Sequence, residues 1–323
     1  MSYNPPIGFV KKDIQLADNL KKLSLLKSYS KQAEGDFPLL LTPEFATRID
    51  WNNPKDPLLQ QILPTKHENK TKPGFVVDPL NESRYAKAPG YIKKYHGRAI
   101  MQLTGACPIH CRYCFRRHIK SNNIPKSINE WSQAVETIRQ DKSIKEIIYS
   151  GGDPLMLNSD KLLEISNLLT TIPHIKRLRI HSRVPVASPK RITPDLIKAL
   201  KDLPLVMSMV IHMNHPAEMD SGVKNTLQEL VEAGIPLYNQ SVLLKGINDD
   251  VTTLITLSET LIDARVTPYY LHLLDPVAGA AHFYVDEKKG RELLLKMRPM
   301  LPGYALPMLV VDIPGERSKL PIL

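Results

Sequence analysis

The sequence predicts an α/β fold: six β–α units forming a partial barrel of parallel strands, preceded by a mostly helical extension. Three observations carry this expectation. From Arg98 onward, short and nearly continuous apolar runs alternate with amphipathic stretches of helical length, the pattern of a parallel sheet covered by helices. Several amphipathic stretches open on Ser, Thr or Asp, whose side-chain oxygens accept the free amides at a helix start. No GxGxxG loop follows the first strand-like run, which argues against a dinucleotide-binding sheet.

Residues 1–96 are expected to form the extension. Amphipathic stretches around 11–33 and 55–63 are interrupted by the proline-rich links "NPPIG", "PTKHENKTKPG" and "DPLNESRYAKAPG", as in a leader that wraps a core it does not build. Residues 97–323 are expected to form the barrel and a C-terminal segment. Its strand-like runs are "RAIMQLTG" (98–105), "EIIYSGGD" (146–153), "RLRIHSR" (177–183), "LVMSMVIHM" (205–213), "PLYNQSVLL" (236–244) and "TPYYLHLL" (267–274). The helical patterns between them are "SINEWSQAVETIRQ", "SDKLLEISNLLTTI", "TPDLIKALKDL", "VKNTLQELVEAG" and "DDVTTLITLSETLIDA". In such barrels the reactive groups collect where strands end. The polar oddities fall there: a cysteine loop, "SGGD", "HSR", His212, "NQS" and "LHLLD".

With 42% hydrophobic and 24% charged residues, the chain has a globular composition. Its net charge is +10, but lysines occur as scattered pairs among acids (Lys11–Lys12, Lys21–Lys22, Lys288–Lys289). Without a zinc-finger or RRM signature, this reads as a solvated surface and argues against a nucleic-acid partner. The start lacks a basic-then-apolar signal, and no apolar run approaches the roughly 20 residues of a membrane span. A cytoplasmic location is expected.

All three cysteines lie in "CPIHCRYCFRRH" (107–118), at Cys107, Cys111 and Cys114. Three cysteines make no disulfide framework, and their clustering points to metal. Three thiolates on a cubane iron–sulfur cluster leave one iron open to a ligand. The alternative is structural zinc, with His110 or His118 as fourth ligand.

CxxxCxxC with an aromatic, Tyr113, before its last cysteine resembles the signature of radical S-adenosylmethionine (SAM) enzymes. The resemblance implies a partial (β/α)6 radical SAM barrel and a 4Fe–4S cluster on Cys107, Cys111 and Cys114, whose open iron chelates SAM. "SGGDP", with Gly151, Gly152 and Asp153, stands where that superfamily receives the SAM amino group. "CRYCFRRH", "SGGDPL", "SRVPVASPKRITPDL", "HMNHPAE", "GIPLYNQSVLLKGIND", "PYYLHLLD" and "VVDIPGERSK" together resemble lysine 2,3-aminomutases, from about Tyr91 to Lys319. The leader "NPKDPLLQQILP…PGFVVDPL" and the short C-terminus resemble the branch acting in lysine modification of translation elongation factor P.

The resemblance implies pyridoxal 5′-phosphate (PLP) joined to Lys319, with Lys94, Tyr95 and Arg98 holding its phosphate. It places His212 and Gln240 with Tyr113 and the glycines around SAM. It assigns Arg116 to the carboxylate of L-lysine, and Asp275 and Asp312 to its distal ammonium. The implied reaction moves the α-amino group of L-lysine to the β-carbon, giving (R)-β-lysine for a ligase that modifies elongation factor P, with a flavodoxin or ferredoxin as one-electron reductant. The chain departs from free-lysine relatives in "GERS" (315–318), where they carry a glycine run, and in Asp250, where they carry a cysteine. No structural zinc is therefore expected. The rival readings are a free-lysine aminomutase, an iron–sulfur electron carrier without catalysis, and an RNA-binding protein.

Overall fold

The computed structural model describes residues 27–118 and 124–323. One sheet runs through it in chain order: β1 (Ala86–Ala88), β2 (Tyr91–Ile92), β3 (Arg98–Thr104), β4 (Glu146–Gly151), β5 (Arg177–Ser182), β6 (Val206–Ile211), β7 (Leu237–Val242), β8 (Thr267–His272), β9 (Met308–Val311) and β10 (Leu320–Pro321). From β3 to β9 every neighbouring pair is parallel. The six expected strands are β3 to β8, and β9 adds a seventh. Both margins end in antiparallel pairs, β1 with β2 on one side and β9 with β10 on the other. Among the described residues no strand ladder joins β1 to β10, so the barrel stays open.

Helices return the chain from strand to strand: α5 (Ile128–Gln140), α6 (Ser159–Thr170), α8 (Pro194–Lys201), α9 (Ser221–Glu232), α10 (Val251–Asp263) and α11 (Glu287–Met297). The shorter α7 (Val184–Ala187) follows β5. Each of the six starts on a side chain that accepts a backbone amide, from Ser127, Asn158, Thr193, Asp220, Asp250 and Asp286 respectively. Helix α11 was not among the expected elements. Its first turn is charged and holds Gly290, a poor helix former. A Cβ at Gly290 would lie 3.2 Å from Leu309 and 3.3 Å from Leu273, so glycine permits α11 to press onto β8 and β9.

Strand alternation divides the sheet into two faces. Ala99, Met101, Leu103, Leu178, Ile180, Met207, Met209 and Ile211 point outward into one apolar core shared with the helices. The alternate positions face the lumen and are polar at its mouth: Gln102, His181, His212 and Gln240. Period-two patterning thus builds the core on one side and the site on the other.

The extension is built differently. Its described helices are four to six residues long: α1 (Lys31–Asp36), α2 (Pro43–Ala46), α3 (Pro57–Gln60) and α4 (Glu82–Tyr85). Of the amphipathic stretch at 11–33, residues 11–26 lie outside the described residues. The stretch at 55–63 forms only α3 and turns, because Pro54, Pro57 and Pro64 limit helix length there. Leu41, Phe45, Leu58, Leu59, Ile62 and Leu63 make a small core of their own, which packs on Ile109 of the cysteine loop and Ala187 of α7. Among the described residues no helix is long and apolar enough to cross a membrane.

Candidate active site

The cysteine loop leaves the C-terminal end of β3 and lines a cavity of about 660 Å³ together with Glu82, Arg116, Gly151 and Gly152. All three cysteines are partly exposed and free. Burial raises the Cys107 and Cys114 thiols, the latter to about 11, and their neighbouring cysteines push in the same direction. The thiols therefore interact, and binding iron must expel their protons. Among the described residues no group of three His, Cys, Asp or Glu side chains is arranged around one metal ion. A cubane asks for something else, since each thiolate binds a different iron. Three adjacent thiols on the rim of a roomy cavity fit that group.

Two arginines fix the loop to the extension. Arg112 is fully buried and donates from Nε and Nη2 to the Glu68 carboxylate, at 3.1 and 2.6 Å. Arg117 donates to the same carboxylate at 2.6 Å. Arg112 also bonds the carbonyls of Ala33 (2.9 Å) and Phe37. His110 and His118 each engage a backbone carbonyl, of Pro38 at 2.7 Å and of Ala278 at 2.8 Å.

The glycines of "SGGD" serve first to seat two loops together. Gly151 has φ +118°, and a Cβ there would lie 2.8 Å from the Thr104 carbonyl oxygen. A Cβ on Gly152 would lie 2.4 Å from that of Ala106. The amides of Gly152 and Asp153 are used on the Thr104 and Ala106 carbonyls, both at 2.7 Å, so they are not free for a ligand. Asp153 is buried with both oxygens occupied: Oδ1 accepts from Ser182 (2.7 Å) and the Leu155 amide (3.1 Å), and Oδ2 from the amides of Arg183 (2.6 Å) and Val184 (3.1 Å). These contacts make it a structural cap that joins the ends of β4 and β5. Tyr113 is tied into the loops in the same way. Its hydroxyl donates to Gln61 at 3.1 Å and accepts from Arg183 and Asn214, and its ring packs edge-on against Phe283.

At the other side of the lumen, β9 and β10 pair in a register that sets Val311 opposite Leu320. The next pair outward is Asp312 and Lys319, and Lys319 Nζ lies 3.0 Å from Asp312 Oδ2. Lys94 and Tyr95, just beyond β2, reach the same carboxylate: Lys94 forms an ion pair with Oδ1, and Tyr95 donates to it at 2.9 Å. The Arg98 guanidinium stands 4.8 Å from the Tyr95 ring centre. Burial opposes the Asp312 charge, but Lys319 and Lys94 outweigh it and hold the carboxyl at about 2. Asp275 behaves oppositely. Burial pushes it up to about 7, Asp312 and Glu82 adding to the shift while Lys319 and Lys94 oppose it. Lys319 beside two carboxylates of opposite disposition, with a cationic cluster at Lys94 and Arg98, fits a phosphate-bearing aldehyde and a cationic substrate.

Arg116 is brought to the cavity, but its fork is already taken. Nε and Nη2 donate to Glu82 at 2.8 and 2.6 Å, and Nη1 donates to Ser150 Oγ (2.9 Å) and the Gly151 carbonyl (3.2 Å). Four of five N–H groups are committed, leaving one on Nη2. A substrate carboxylate gains a two-point grip here only by displacing Glu82, Ser150 or the Gly151 carbonyl. Sequence reasoning missed Glu82, whose signal was an acid in "DPLNES" without helical or strand periodicity.

His212, just beyond β6, and Gln240, in β7, take alternate strand positions opposite the outer core. His212 stays neutral, lowered to about 4 by burial and by Arg183, Arg116 and Lys319. His181 and His272, to which no role was assigned, are likewise held neutral by burial. Gln240 Oε1, His181 Nε2 and His272 Nε2 are buried without a hydrogen-bond partner. Orphaned polar atoms converging on one lumen call for a polar ligand, as SAM would be.

The chain is similar to known proteins over most of its length. The Radical SAM superfamily pattern matches residues 101–257. The L-lysine 2,3-aminomutase of Escherichia coli (strain K12) is 41% identical over 292 residues, covering 90% of this chain and 85% of that protein. The enzyme of the same name from Buchnera aphidicola subsp. Baizongia pistaciae is 41% identical over 308 residues, covering 94% and 91%. That of Clostridium subterminale is 35% identical over 321 residues, covering 97% and 76%.

Proposed function

This chain belongs to the L-lysine 2,3-aminomutase family of radical SAM enzymes, and from that premise we propose that it moves the α-amino group of L-lysine to the β-carbon, using a 4Fe–4S cluster, SAM and PLP. The observation that carries this reading is the juxtaposition of Lys319 and Asp312 just beyond the C-terminal end of β9, in the same parallel sheet whose strand β3 leads at its C-terminal end into the cysteine loop. An electron carrier needs no such lysine, and an RNA-binding surface needs neither.

When bound, the cluster with SAM supplies a hydrogen-abstracting radical, and PLP supplies a conjugated ring that carries the migrating nitrogen. The chain's own residues provide placement. Cys107, Cys111 and Cys114 would hold three irons of the cluster. Lys319 would hold PLP through its amine, while Lys94, Tyr95 and Arg98 stand where a phosphate dianion would find charge-assisted donors. That contact requires Lys94 and Tyr95 to share or leave Asp312. Asp275, ionised by an approaching ε-ammonium, takes the distal end of lysine. Arg116 takes the carboxylate, and His212, His181, Gln240 and His272 present neutral polar edges to SAM. Neutral imidazoles suit a site that must also accept the sulfonium cation.

The product is assigned as (R)-β-lysine, serving the lysine modification of elongation factor P, with a flavodoxin or ferredoxin as electron donor. This finer assignment rests on the motif resemblance and on Asp250, a helix cap here, at a position where free-lysine relatives carry a cysteine. Anaerobic reconstitution with iron, sulfide, SAM, PLP and dithionite, followed by chiral chromatography of lysine reaction products, tests the reaction. Formation of (R)-β-lysine is expected, and unchanged lysine from a fully loaded enzyme contradicts it. Coupled β-lysylation of elongation factor P by its ligase tests the role.

A further inference from the structure

We propose that Arg183 is a positioning cation of the cluster site: it donates a charge-assisted hydrogen bond to the Cys111 sulfur and, balanced by Glu218, sets the reduction potential of the cluster. This rests on the cluster assignment above.

Arg183 follows β5 directly and is buried. Its Nη1 lies 2.8 Å from Cys111 Sγ. Its Nη2 donates to Gln61 Oε1 at 2.7 Å and to Glu218 Oε2 at 2.8 Å. The guanidinium plane is therefore held from two sides, by the extension through Gln61 and by the segment after β6 through Glu218. Glu218 is itself pinned, accepting from the amides of Asn214 (2.9 Å) and His215 (3.2 Å) and from Gln61 Nε2 (3.1 Å). Among the described residues, Cys111 is the one cysteine whose sulfur accepts a hydrogen bond from a cationic side chain.

Hydrogen bonds to ligating sulfurs and nearby charge are among the levers that set cluster potentials. Reduction adds one negative charge to the cluster. A fixed cation against one of its sulfurs favours the reduced form, and a fixed carboxylate behind that cation moderates the effect. Low local polarity strengthens both. A mere tie between extension and barrel would influence folding or iron retention, but not the potential of the clusters that assemble.

The test is a redox titration of the full chain, reconstituted anaerobically and followed by electron paramagnetic resonance, with iron and sulfide content measured alongside. Arg183→Gln is expected to shift the one-electron equilibrium about tenfold toward the oxidised form, about 59 mV more negative. Arg183→Lys, which keeps the charge, should remain near the wild type, and Glu218→Gln should shift the opposite way. An Arg183→Gln protein with a full cluster and an unmoved potential overturns the proposal. If that variant fails to hold iron, Glu218→Gln decides: an upward shift supports the proposal and an unchanged potential overturns it. A wild-type chain that never shows a reduced four-iron signal overturns the cluster reading itself, and the proposal with it.

Discussion

The two ends of the lumen are made in different ways. At the lysine end the central pair comes from one short stretch of chain, because the β9–β10 register sets Lys319 against Asp312 across a seven-residue return, and only Lys94 and Tyr95 reach the carboxylate from farther away. The cysteine end is gathered from distant pieces. Cys111 is held by Arg183 after β5, which is held by Gln61 of the extension and Glu218 after β6. Residue placement within a hairpin depends on local pairing alone, whereas the second arrangement needs the extension, the cysteine loop and two strand ends to meet at once. The pairing of Lys319 with Asp312 should therefore tolerate substitutions elsewhere in the molecule better than the cysteine end does.

Substitutions can break this contrast. The largest effect is expected from Cys111→Ala, which should abolish iron loading and SAM cleavage together, read by iron analysis and deoxyadenosine release. Lys319→Ala should leave iron content unchanged yet lower amino migration by at least about a thousandfold, a loss of roughly 4 kcal/mol in transition-state stabilisation. Wild-type turnover in that variant would mean that another lysine holds PLP. Arg112→Ala should act on the cysteine end from a distance: leaving Glu68 without its main buried partner costs about 3–5 kcal/mol, read as a lower urea midpoint with poorer iron retention.

Asp275→Asn should give the mildest change, raising KM for lysine about tenfold, or about 1.4 kcal/mol of binding. The sign with pH follows from its carboxyl, which burial pushes up to about 7. Below that pH the free enzyme holds Asp275 neutral, and above it charged, while the lysine ε-ammonium stays charged throughout. Thus kcat/KM should rise between pH 6 and 8 in the wild type, and that dependence should flatten in Asp275→Asn.

The same contrast explains what the sequence disclosed. Lys319 and Asp312 were singled out only through the motif resemblance of "VVDIPGERSK", and the β9–β10 return that pairs them is what the structure adds. The six barrel strands and their capped helices were legible, since periodicity and caps are local signals. Arg183, Glu218 and Gln61 were not: each looks like an ordinary polar residue in its own segment, and only tertiary packing brings them to one sulfur. Asp153 and Tyr113 show the converse. Their motif positions pointed to a ligand and carried no sign that their oxygens also join loops. Glu82 lay in a proline-spaced leader without period, where no local pattern marks which acid turns inward.

The open barrel has a mechanical corollary. Lys94 lies beside one margin of the sheet and Lys319 beside the other, and both grip Asp312. The slit between the first and last staves is thus fastened by an ionic clasp rather than by a main-chain ladder. Such a clasp can slacken or tighten as its partners are exchanged, changing the girth of the vessel without unravelling a strand.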